Sequence, residues 1–182
     1  MLPRVLGLGN ELLGDDAVGV IAARQVGQDL ASQVEVIETS IYGLGLLDVI
    51  LGCRQLIIID AVRTGQVPPG TVMQIDPASL DHVVAPSPHY SGLPEMRVLA
   101  RTLNLDFPEQ IAIFAMEIAD DSRLEVRLSS QVQNGLGTLT RRVKEQLAEW
   151  AVRSPLPDVR ASEARGRTLP ARWNVTAEQD PC

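Results

Sequence analysis

A three-layer α/β fold, with a mostly parallel, twisted sheet of about five strands and helices on both faces, is predicted by three observations. Apolar runs of strand length alternate with longer stretches of helical period. The strongest of these runs are apolar on both faces, as in strands buried inside a parallel sheet. A glycine-rich turn joins the first run to the first helical stretch, the local signature of a βα unit.

Each element follows from its own residues. Arg4–Leu8 reads as the first strand, and Gly7 and Gly9 allow a turn that other residues would strain. From Asp15 or Asp16 to about Leu30, the residues Val18, Ile21, Ala22, Val26 and Leu30 make one helical stripe. Val34–Glu38 is the second strand. The glycine-containing segment Thr39–Gly45 turns into a short helix carrying Leu46, Leu47, Ile50 and Leu51. Gln55–Ala61 holds Leu56-Ile57-Ile58-Ile59 and is the central strand, with Asp60 at its end. Val67-Pro68-Pro69-Gly70 is a turn, and Thr71–Ile75 an extra strand suited to an antiparallel edge. Asp76–His89 has the composition of a loop. Leu93, Met96, Leu99, Ala100 and Leu103 mark a helix, and Gln110–Glu117 the last strand. Ser129 or Ser130 then caps a long helix with Val132, Leu136, Leu139, Val143 and Leu147 facing inward. The domain spans residues 1–153, and residues 154–182 form a tail rich in proline and arginine, expected to be mobile or loosely docked.

Composition narrows the function classes. With 45% hydrophobic and 21% charged residues, the 182-residue chain is an ordinary globular one, and its formal charge of −7 argues against a nucleic-acid ligand. No apolar run approaches the ~20 residues that span a bilayer, and a strand starting at residue 4 leaves no room for a signal peptide. Two cysteines, Cys53 and Cys182, give no disulfide framework, so a cytoplasmic location is expected.

Right-handed crossovers let the second strand lie on one side of the first and the third on the other. Asp15, Asp16 and Asp60 then meet at a switch point, where α/β proteins bind ligands. Asp15 and Asp16 also suit helix capping, and for one of them this is the simpler reading. Asp60, ending an apolar run, requires a partner, because burying a lone carboxylate costs about 3–5 kcal/mol. Of the two histidines, His82 reads as a surface residue, whereas His89 follows Pro86-Ser87-Pro88 and precedes a helix at the same end of the sheet. Two carboxylates and an imidazole suit a borderline cation such as nickel or zinc. A nucleotide site is the weaker alternative. Gly7-Leu8-Gly9-Asn10-Glu11-Leu12 lacks the third glycine of a dinucleotide fingerprint, and its neighbouring acids repel pyrophosphate, although Glu38 stands where a ribose-binding acid would be.

Three separated motifs carry a family resemblance. Gly7-Leu8-Gly9-Asn10 with Leu12-Leu13, Asp15-Asp16 and Gly19, then Ile59-Asp60-Ala61, then Ser87-Pro88-His89 with Gly92-Leu93, together resemble the [NiFe]-hydrogenase maturation proteases. The resemblance covers roughly residues 3–150. It implies an endopeptidase that trims the C-terminal extension of a nickel-loaded hydrogenase large-subunit precursor; a monomer is expected, although the sequence does not fix the oligomeric state. It also implies that Asp16, Asp60 and His89 are the catalytic residues, acting as ligands of a nickel supplied by the substrate, for which zinc or cadmium can stand in. Asn10, Glu38 and Glu117 are candidates for holding the precursor. Glu38-Thr39-Ser40-Ile41 replaces the family's common Asp-Gly-Gly-Thr turn, and Ala17 replaces a common glycine. A non-catalytic, nickel-sensing or chaperone-like binding module on the same fold is the rival reading.

Overall fold

A computed structural model of the chain describes residues 1–81, 89, 92–119 and 124–153. Its strands are β1 (Arg4–Leu8), β2 (Glu35–Thr39), β3 (Gln55–Val62), β4 (Val72–Ile75) and β5 (Gln110–Glu117). Its helices are α1 (Val18–Leu30), α2 (Leu47–Ile50), α3 (Leu93–Thr102) and α4 (Ser130–Arg153). The expectations for His82, for Pro86-Ser87-Pro88 and for the tail 154–182 lie outside the described residues.

The five strands form one sheet in the order β2-β1-β3-β5-β4. All pairs are parallel except β4 with β5, so the short proline-flanked strand takes the antiparallel edge. The chain moves from β1 to β2 on one side and then returns to β3 on the other, which opens the expected switch point between β1 and β3. The β1–β3 ladder ends at the pair Gly7–Ile59, but β3 stays paired with β5 through Val62–Glu117. Asp60 therefore sits inside β3 rather than at its end, at the level where β1 has already turned away.

One apolar core fills each side of the sheet. On one face α1 and α4 deliver Val18, Ala22, Val26, Val132, Leu136, Leu139 and Val143 against Val5, Ile57 and Phe114. On the other, Leu46 from the 3₁₀ turn Gly43–Leu46 joins Ile50 of α2 and Leu93 and Met96 of α3 against Leu6, Ile58 and Ile113. The α4 stripe is buried at every position that its spacing selects. The α3 stripe is not: Leu99 is exposed although it lies within the helix, and Leu103 falls just past its end at Thr102.

Glycines set how closely α1 approaches the sheet. A Cβ on Gly7 would lie 2.6 Å from the Gly19 carbonyl oxygen and 2.7 Å from Ala23 Cβ. A Cβ on Gly19 would overlap the carbonyl oxygens of Leu8 and Ile59. Helix and strands thus touch backbone to backbone at the end where the acids lie. Because the neighbours at Gly19 are rigid carbonyls, Gly19→Ala is expected to lower stability by about 1–3 kcal/mol through overpacking. Gly137→Ala, on the open face of α4 with nothing within 4 Å of the added Cβ, is expected to raise it by roughly 0.5–1 kcal/mol. Urea unfolding monitored by circular dichroism measures both changes.

Candidate active site at the switch point

Gly9 carries the chain out of β1 with a φ of 137°, a conformation for which only glycine is suited. A Cβ there would overlap the Asp16 carbonyl oxygen, so the start of the first helical segment folds directly back on the strand end. Residues Gly14–Ala17 form a 3₁₀ turn ahead of α1, and neither Asp15 nor Asp16 caps it with a side-chain hydrogen bond. The capping expectation for this pair is thereby corrected. Asp15 is buried, and its Oδ1 accepts the Ser129 N–H at 2.6 Å. Ser129 Oγ in turn accepts the Val132 N–H at 3.4 Å, as the serine-cap reading of α4 expects. Asp16 turns the other way, and its Oδ2 accepts the Asn10 N–H at 2.6 Å.

Asp60 is completely buried. Its Oδ1 accepts the Ala61 N–H at 2.9 Å, and His89 Nδ1 lies 3.1 and 3.2 Å from its two oxygens. The partner that a carboxylate in an apolar strand requires is therefore the histidine 29 residues further on. His89 is fixed by its main chain as well: its carbonyl accepts the Gly43 N–H, at 3.3 Å, from the segment between β2 and α2.

Burial by itself disfavours the His89 imidazolium, but the hydrogen bond and charge of Asp60, with the charge of Asp16 added, more than offset it and raise the imidazole pKa above its ordinary value of 6.5. Asp16 is thus close enough to act on the Asp60–His89 pair. Two carboxylates from distant parts of the chain and one imidazole converge at the switch point. By donor chemistry they fit a borderline divalent cation. No group of three or more His, Cys, Asp or Glu side chains stands ready to hold a metal ion among the described residues. In this arrangement His89 Nδ1 faces Asp60, and Asp16 Oδ2 faces Asn10.

The remaining candidates separate. Asn10 Oδ1 accepts the Leu12 N–H at 3.0 Å, which folds the loop beside Asp16. Glu38 is bound by Arg24 of α1, whose guanidinium also grips Glu11. These contacts bridge the two acids and offset their mutual repulsion, lower the Glu11 pKa and raise that of Arg24. Glu117 does not face a partner. It is 1% exposed, and its carboxylate accepts the N–H groups of Thr64 and Gly65 and the Thr64 hydroxyl, anchoring the turn after β3. A buried glutamate ending an apolar strand signals a structural acid as readily as a binding one. The Arg24 clamp and the Asp15–Ser129 bond went unnoticed in the sequence, where no spacing rule links residues 114 positions apart.

A cleft of about 590 Å³ lies at the opposite end of the sheet, lined in part by Asp76, Arg97, Arg101, Phe107 and Glu109, and holds none of these groups.

A family model for hydrogenase maturation protease matches residues 19–146. The chain is similar to the hydrogenase expression/formation protein HupD of Thiocapsa roseopersicina, 26% identical over 153 residues that cover 81% of this chain and 68% of the relative. It is also similar to the hydrogenase 2 maturation protease of Escherichia coli, 32% identical over 115 residues, covering 60% of this chain and 68% of that protein. The solved structure of the hydrogenase maturating endopeptidase HybD from Escherichia coli superposes with a TM-score of 0.68 at 27% identity, covering 82% of this chain and 93% of that one.

A group whose pKa rises on folding contributes stability fully below its unfolded value and loses it as pH climbs through the folded one. For His89 that loss therefore begins above 6.5. In the metal-free protein, the His89 imidazole signals in NMR are expected to titrate above that value. In Asp60→Asn the midpoint falls, because burial then acts without its paired charge.

Proposed function

Because the chain belongs to the hydrogenase maturation protease family and is a peptidase, we propose that it removes the C-terminal extension of a nickel-loaded [NiFe]-hydrogenase large-subunit precursor. In this reading Asp16, Asp60 and His89 contact the precursor's nickel, and the metal is cargo that reports its own insertion. The protein works as a cytoplasmic monomer. The observation that carries the reading is the buried Asp60 paired with His89, with the Asp16 carboxylate bearing on the same imidazole.

The chain's own residues do three things in this scheme. They bind: Asp16, Asp60 and His89 supply oxygen and nitrogen donors to a cation whose remaining ligands are the precursor's cysteines. They orient: with the metal cluster seated at the switch point, the peptide bond a few residues away is held in the crevice, and such proximity can contribute up to ~7–11 kcal/mol in ideal cases. They also hold a proton. His89 Nδ1 shares one with Asp60, and because a ligand nitrogen must be unprotonated, engagement weakens as pH falls. Bound nickel supplies Lewis acidity toward the scissile carbonyl or a water. A carboxylate left outside the metal's shell is placed to accept the water's proton as general base. In the same reading, the segment from Asn10 to Leu12 lines the path of the cleaved chain.

Asp16→Asn, Asp60→Asn and His89→Ala are each expected to lower kcat/KM for trimming of the nickel-loaded precursor by about 100-fold or more, read by mass spectrometry of the shortened product. The nickel-free precursor is expected to stay uncut by the unaltered protein. Near-normal trimming by any two of the variants would overturn the metal-contact reading.

A further inference from the structure

Six large apolar side chains around the switch point face solvent. Leu12, Ile41, Tyr42, Leu44, Leu124 and Val126 are between 46% and 84% exposed. They come from three connections, β1–α1, β2–α2 and β5–α4, all at the carboxyl ends of parallel strands. A scattered exposed leucine means little, but apolar side chains gathered at one end of a molecule mark an interaction surface.

The six fall into two groups. Leu12, Leu124 and Val126 form the first. Leu13 and Glu125 make a parallel bridge, with the Glu125 N–H donating to the Leu12 carbonyl at 3.1 Å and the Gly14 N–H donating to the Glu125 carbonyl at 2.6 Å. Side chains alternate along bridged segments, so Leu12 lies beside Leu124 and Val126 on one face. This strap joins the entries to α1 and α4, which share one side of the sheet. Ile41, Tyr42 and Leu44 form the second group, on the segment entering α2, which packs on the other side. Here the Ile41 N–H bonds Thr39 Oγ1 at 3.1 Å, and the Gly43 N–H bonds the His89 carbonyl. Asp16 therefore belongs to the first lip and His89 is tied to the second, with Asp60 at the crest between them.

We propose that these two lips grip the folded, apolar surface of the precursor on either side of its cleaved segment, and so select a folded protein over a free peptide. The inference rests on the proposed function above and names how that substrate is held. Continuity with the site identifies the occupant: one lip shares its connection with Asp16 and the other is bonded to the His89 main chain, so a substrate seated at Asp60 and His89 lies beside both. Both lips are anchored by backbone hydrogen bonds in the unbound protein, so their apolar side chains stay displayed and little ordering is needed on docking. Neither lip carries charge on the six side chains, so apolar burial drives this contact. The aromatic ring of Tyr42 is suited to its centre.

The test compares kinetics of the full-length protein on nickel-loaded precursor and on a synthetic peptide of about 20 residues spanning the cleaved bond. One lip is altered by Tyr42→Ala with Leu44→Ser, the other by Leu124→Ser with Val126→Ser. Val98→Ser with Leu103→Ser, at exposed positions on and just after α3, serves as the control. Each lip variant is expected to raise KM for the precursor about tenfold or more, with kcat kept within twofold. The control is expected to behave as the unaltered protein, and the peptide to be cut at least 100-fold less efficiently than the precursor. Unchanged KM in both lip variants would overturn the inference while leaving the proposed function standing, whereas a nickel-free peptide cut as well as the precursor would overturn both. An unaltered protein that fails to trim the precursor would overturn the proposed function, and the inference with it.

Discussion

The site depends on one steric constraint, the backbone contact between the start of α1 and the ends of β1 and β3. Side chains normally hold a helix well away from a sheet. Here Gly7 and Gly19 remove that spacer from both partners, and Gly9 lets the chain double back so tightly that its α-carbon faces the Asp16 carbonyl. The outcome is that Asp16 arrives beside a carboxylate on a different strand. An alanine at any of these three positions would lift the helix start off the sheet. The acids would still exist, but they would no longer bear on the same imidazole.

Charge arrangement at the crest follows from that proximity. Asp60 is fully buried in the strand that carries the most apolar run, so it must be paired. His89 supplies the pairing, and although burial disfavours its charged form, the Asp60 contact and the Asp16 charge favour it more. The outer acids are treated separately, because Arg24 spans Glu11 and Glu38 and draws their charge away from the crevice. In a chain with a formal charge of −7, the Asp60–His89 pair, with Asp16 acting on it, is left apart from the Arg24 clamp. Glu117 and Asp15 show the opposite use of a carboxylate. Each is buried and hydrogen-bonded within the chain, so each fixes a loop beside the crevice and leaves the chemistry to its neighbours.

The same loops that assemble the centre also display its apolar rim. Asp16 and Leu12 share the β1–α1 connection, while the segment holding Ile41, Tyr42 and Leu44 also holds the carbonyl of His89. In the proposed reading, a partner seated on either lip therefore lies against an element that positions Asp16 or His89. Short connections between rigid strands and helices suit such a linkage, because the framework keeps the loops from drifting.

Much of this was legible in the sequence wherever the physics is local. Strand and helix positions follow from the period of apolar residues, and α4, whose stripe is buried at each expected position, is the clearest case. The parallel sheet and its switch point follow from alternation and crossover handedness, and Asp60 announces its need for a partner by ending a run of isoleucines. Local pattern placed Leu99 and Leu103 on the inner stripe, but α3 buries only Leu93, Met96 and Ala100 and ends at Thr102, before Leu103. It also gave Asp15 and Asp16 a capping role that neither performs. Only the tertiary structure decided which carboxylates meet the imidazole and which tie loops together. A carboxylate has the same chemistry in Asp15, Asp16, Asp60 and Glu117, and its role is set by whichever groups distant segments bring within hydrogen-bonding range. That information is absent from spacing along the chain and appears only when the sheet has been closed.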